Sequence, residues 1–184
     1  MPYLGLASVF LYAYTRRSGL DIGTHLRRRW SRGLVGALIF DCVMVWGVVQ
    51  QPASPSPRGL ELVFALLWLG GLYGVLDAML LTVIPVLAIW QMCAAGGMHN
   101  HWCGRLMRAI VALIASLFVT AAYHWGYVEF RGPAILNPII GNAIITLGYL
   151  VTSHLSTPVV AHVAMHVAAV FHGMETTVQL PPHY

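Results

Sequence analysis

A chain of 184 residues with 58% hydrophobic and only 9% charged residues is far more apolar than a soluble domain, where about 25% of residues are charged. Its formal charge of +4 comes from arginine alone, and six of the ten arginines fall between Arg16 and Arg32 with no basic stripe interleaved with aromatics after them. That pattern marks a membrane-proximal loop on an integral membrane protein and excludes a nucleic-acid surface. The three cysteines, Cys42, Cys93 and Cys103, are odd in number and scattered, which excludes a disulfide framework and a CxxC site.

The first segment, "MPYLGLASVFLYAYTRR", carries its positive charges after the apolar run rather than before it, so it reads as an anchor that stays, not a cleaved signal. Apolar runs follow at about residues 33–49, 59–97, 106–127, 134–152 and 157–174. The run over 59–97 is too long for one crossing: 39 residues at about 1.5 Å each are nearly twice a hydrocarbon core of about 30 Å. "GGLYG" at 70–74 is the natural break, and the fold class expected is all-α, a polytopic transmembrane bundle of six or seven helices. Charge points the other way, because a single crossing there would put Arg105 and Arg108 on the side of the Arg16 to Arg32 loop, as the positive-inside rule prefers. That loop is expected in the cytoplasm and the protein in the cell (plasma) membrane. "QQPASPSPR" at 50–58 is a short extended loop, too small to separate domains. No internal repeat is visible, so residues 1–184 read as one integral membrane domain.

The final run, "PVVAHVAMHVAAVFHG", is well bounded. Ser156 or Thr157 can cap it, Pro158 suits its first turn, and Gly173 ends it. Inside it, His162 and His166 are four residues apart and so about 40° apart on one face. Ionisable groups within a span normally face a cavity or a partner, so the pair is expected in the bundle interior, as a site or as interhelical hydrogen-bonding groups. His172 points elsewhere, near the interface. His124, in "SLFVTAAYHWGY", sits beside Trp125 and Tyr127, which look like an aromatic belt. Asp41 and Asp77 also interrupt apolar runs, as proton carriers or, the expectation here, as partners for an imidazole or arginine. In "GGMHNHWCGR", His99, His101 and Cys103 alternate, which suits a soft metal only on an extended backbone.

Together these segments, over residues 95–174, resemble the CAAX-processing and bacteriocin-processing (CPBP) family of intramembrane proteases. That family carries paired glutamates followed by arginine, then Phe-x-x-x-His, then His-x-x-x-Asn, on separate helices. "GYLVTSHLSTPVVAHVAMH" looks like the third motif, with His162 on the histidine and His166 on the asparagine position. "SLFVTAAYHWGY" is similar to the second, with His124 on the histidine, Thr120 at the aromatic position and Phe118 two residues off. "NHWCGRLMR" falls where the first motif belongs, with Arg105 matching and Asn100 and His101 in place of the glutamates. The resemblance implies a metal-free hydrolytic site at Asn100, His101, Arg105, His124, His162 and His166, with membrane lipid around it and a membrane-embedded or prenylated peptide, not a nucleic acid, as partner. Loss of the glutamates makes the protein a divergent or inactive peptidase, since His101 could replace their basic function and Asn100 could not. No cofactor is named by the sequence. Histidines from two helices would also suit a haem or transition-metal protein, and a structural membrane subunit is the third reading.

Overall fold

The computed structural model describes residues 2–19, 30–96, 101–173 and 180. Six helices account for most of them: α1 (Pro2–Ser18), α2 (Trp30–Val49), α3 (Gly59–Ala95), α4 (Trp102–Trp125), α5 (Leu136–Thr152) and α6 (Ser156–His172). Among the described residues there is no strand. The chain is all-α, and α2, α3, α4 and the 133–152 segment containing α5 are long and apolar enough to cross a membrane.

The expected break at 70–74 is absent. α3 runs unbroken through its glycines, with wider i to i+5 turns over Leu66–Tyr73 and Ala78–Val83, so the seven-helix alternative is overturned. The glycines mark close packing: a Cβ on Gly74 would stand 2.9 Å from the Val163 Cα and 3.2 Å from the His162 carbonyl oxygen of α6, and one on Gly70 would meet the Val167 side chain at 2.8 Å. Small residues let helix backbones approach where the hydrophobic effect cannot drive association.

Hydrophobic lengths and loops fix the directions. Gly33 of α2 packs on His154 and Ser156 and its carbonyl accepts from Thr157 Oγ1 at 3.2 Å. At the other end Gln51 O accepts from His172 Nε2 at 2.7 Å. So α2 and α6 are parallel. The pairs Gly70 with Val167 and Gly74 with Val163 make α3 antiparallel to α6.

α6 is the central helix, packed by α2, α3 and α5. Ala161, Met165, Ala169 and Val170 join Met44, Val48, Ala65 and Ile145 in one apolar cluster. Most of the exposed apolar residues, such as Leu38, Val63, Phe118 and Ile140, lie on the other helices, and α6 exposes only Val160 and Phe171 among its large apolar side chains. That arrangement explains how α6 carries imidazoles: its polar face meets protein.

A second layer of order comes from Pro85. Proline has no N–H for the carbonyl four residues earlier, and that carbonyl, Leu81 O, accepts instead from Ser116 Oγ at 2.6 Å and Asn142 Nδ2 at 3.3 Å. Asn142 continues the network to Thr82 Oγ1 (2.7 Å) and Thr120 Oγ1 (2.6 Å). Thr146 joins through Ser116 at 2.9 Å. Buried hydroxyls and one amide thereby tie α3, α4 and α5 together where no water can serve.

Candidate functional site

Four titratable side chains from three helices gather beside this network. Asp77 lies on α3 in the short regular stretch between its two wide-turn segments, and such irregular turns are common at functional sites. His124 ends α4, and His162 and His166 lie one turn apart on α6 with ring centroids 6.4 Å apart. Asp77, His124, His162 and Asn142 line a partly open cavity of about 90 Å³, bounded on its apolar side by Met44, Leu81, Ile145 and Met165. His166 joins through Asp77, whose Oδ2 is 3.3 Å from His166 Nε2.

His162 is 3% exposed and His166 fully buried, as their spacing predicts. None of their four ring nitrogens has hydrogen-bond geometry to any described group. A buried imidazole without partners costs free energy of the order of 1–3 kcal/mol per unsatisfied group. One ring nitrogen of each, with a carboxylate oxygen of Asp77, lie within 4.8 Å of one another.

His124 differs from them because its orientation is fixed. Its Nδ1 is 2.8 Å from the Thr120 carbonyl, which can only accept, so Nδ1 carries the hydrogen and Nε2 holds the lone pair in the neutral ring. Tyr123 and Phe130 pack edge-on against the ring at 5.1 and 5.0 Å. Thr120 in turn donates to Ser116 O and accepts from Asn142. The threonine at the motif's aromatic position thus anchors His124 through its backbone, while Phe118 points outward. Tyr73, hydrogen-bonded to Tyr123 at 2.6 Å, lays its ring 5.9 Å from that of His166.

No protein-family model, curated protein or solved structure matches the chain.

The other residues taken from the first motif lie elsewhere. His101 immediately precedes α4 and Arg105 is in its first turn, both exposed and about 35 and 29 Å along the helix from His124. Asn100 and His99 lie outside the described residues. Cys103 is exposed, so the alternating His/Cys set is not assembled among the described residues. Asp41 has a buried Oδ1 without a hydrogen-bond partner but does not line the cavity. His172 is engaged with the 50–58 loop. Sequence reasoning gave Asp77 a partner without finding which one, and missed Asn142 altogether. The signals were present: an amide inside "NPIIGNAII", and a proline inside α3 that leaves one carbonyl in need of a donor.

Proposed function

We propose that the chain is a CPBP-like intramembrane peptidase of the cell membrane, in which Asp77 supplies the carboxylate that the resemblance looks for at Asn100 and His101. The observation that carries this reading is that Asp77, His124 and His162 line one cavity, with His166 beside it through Asp77 and His162. A water in that cavity gives its proton to His124 Nε2, the nitrogen left basic by the Thr120 hydrogen bond, and its oxygen attacks the amide carbon. His162 faces the carbonyl oxygen as it gains charge, in an apolar setting where such interactions are strengthened. The C–N bond then breaks, and His124 returns the proton to the leaving nitrogen, giving a carboxylic acid and an amine.

Two other readings have less support. A subunit whose histidines only join helices has the His166 to Asp77 contact at 3.3 Å in its favour but leaves both ring nitrogens of buried His162 without a hydrogen bond. The cavity is too small for a haem macrocycle. The substrate class is a peptide embedded in the membrane whose cleaved bond lies toward the end of the bundle formed by Phe130, Asn137 and Pro138, which line the cavity there.

The test uses the protein in lipid vesicles with a quenched fluorescent single-span peptide, and a farnesylated peptide as second probe. The single-span peptide should be cleaved, and His124→Ala should lower kcat by about 10²- to 10⁴-fold, while His172→Ala should leave it unchanged. Absence of turnover by the wild type on either probe, or equal turnover by His124→Ala, overturns the proposal.

A further inference from the structure

We infer that Asp77, His162 and His166 form a binding site for a single divalent transition metal ion, zinc in the first instance. The Asp77 Oδ2 to His166 Nε2 separation of 3.3 Å equals the ligand-to-ligand edge, about 3.3 Å, of a tetrahedron with metal bonds of about 2.0 Å. The third ligand comes from His162, one of whose ring nitrogens belongs to the group whose ligand atoms all lie within 4.8 Å of one another. Two imidazoles and a carboxylate with an open fourth position are the ligand chemistry of catalytic zinc.

Burial supplies the second, independent argument. His162 and His166 each present both ring nitrogens to the protein interior with no hydrogen bond to a described group, although nearby Asn142, Thr82, Ser116, Thr120 and Thr146 are satisfied to the last donor they share. Asp41 Oδ1 and the Tyr149 hydroxyl are also buried without a hydrogen bond, but the described metal-ligating atoms gather within 4.8 Å of one another only at Asp77, His162 and His166. A divalent ion there takes up those lone pairs and offsets the carboxylate charge in a medium that penalises unpaired charge.

The cavity beside the ligands has room for a metal-bound water, and His124 lies across it with its basic Nε2. Choosing zinc among cations that accept this ligand set rests on the hydrolytic reading above, because amide hydrolysis moves no electrons and zinc is a redox-inert Lewis acid; the metal goes beyond the metal-free site that the resemblance implies. Zinc would carry the charge on the carbonyl oxygen that His162 alone meets through one N–H.

The experiment measures metal uptake by the purified full chain in detergent, stripped with chelator and then given zinc or cobalt alone. One equivalent of zinc should remain bound after gel filtration, cobalt should give the visible bands of a tetrahedral site, and X-ray absorption on the zinc-loaded wild type should show two imidazoles in the first shell. His166→Ala and Asp77→Asn should each weaken zinc binding by at least about 100-fold, while His172→Ala binds as the wild type does. The spectroscopy needs no variant, so a misfolded variant leaves the test intact. Failure of the wild type to hold zinc, or equal binding by the Asp77→Asn, His162→Ala, His166→Ala triple variant, overturns the site. A protein that holds no zinc yet cleaves the peptide loses the metal and keeps the peptidase reading. One that holds zinc through these ligands and cleaves nothing establishes the metal site and loses the peptidase reading.

Discussion

Asn142 is the residue on which the geometry of His124 depends most, although the two never touch. Its amide binds Thr120 and Ser116, its carbonyl accepts from Thr82, and Thr120 holds the His124 ring through the backbone. Replacing Asn142 by alanine strands buried hydroxyls on two other helices, and each unsatisfied group costs about 1–3 kcal/mol. Asn142→Ala should therefore lower the thermal unfolding midpoint in detergent clearly. Thr146→Val, which removes one hydroxyl bonded to Ser116, should lower it less. Equal midpoints for wild type and Asn142→Ala would show that the network adds nothing. At this scale the sequence was informative about type and poor about partners. The four-residue spacing of His162 and His166 forces them onto one face. Nothing local tells Asp77 that its neighbour is His166, because that pairing depends on which helices pack together.

The helices themselves were legible from apolar runs, and five of them fall close to where hydropathy places them. α3 is the exception, for a physical reason: glycine both weakens a helix and permits close helix contact, and "GGLYG" looks the same in either role. Only the neighbour distinguishes them. Gly74 and Gly70 face α6, whereas a Cβ on Gly71 would meet only the Leu66 carbonyl of its own helix, at 3.5 Å. Gly71→Ala should thus leave the packing intact and raise stability by about 0.5–1 kcal/mol. Gly74→Ala sets a methyl 2.9 Å from the Val163 Cα, where backbone must yield, and overpacking of this kind costs about 1–3 kcal/mol. Because the same contact sets the spacing between Asp77 and His162, Gly74→Ala should weaken zinc binding as well as unfold at lower temperature. Loss of stability with unchanged zinc affinity would separate the packing of α3 from the site. The first-motif assignment followed the arginine at Arg105, which begins α4, whereas the acid of the proposed site, Asp77, lies on the preceding helix.

A continuous α3 also settles the tension between hydropathy and charge. With one crossing over Gly59–Ala95, the end of α1 with Arg16 and Arg17, the start of α2 with Arg32 and the start of α4 with Arg105 and Arg108 fall at the same end of the bundle, and five of the seven described arginines share a side. The positive-inside rule then puts that end in the cytoplasm. The 50–58 loop, the 126–135 connection and the C-terminal end of α6 lie at the opposite end, tied by the hydrogen bond from Ser54 N to His172 O at 3.2 Å. His124 ends α4 there, and Phe130, Asn137 and Pro138 bring the cavity toward that end. On that orientation the proposed site would open away from the cytoplasm, and the proposed substrate would be a membrane-embedded peptide rather than a prenylated cytoplasmic tail. Three cysteines decide the matter in oriented vesicles: Ser18→Cys and Val128→Cys, each in a background without native cysteines, and native Cys103 alone. Val128 is 73% exposed and Cys103 is exposed, so both are open to reagent. Ser18→Cys and Cys103 should react from the cytoplasmic side and Val128→Cys from the other. If Ser18→Cys and Cys103 react from opposite sides, α3 does not cross once, and the charge argument falls with it. If all three keep the expected relation but the arginine-rich end proves external, the bundle stands and the site opens to the cytoplasm, where a prenylated tail becomes the better substrate.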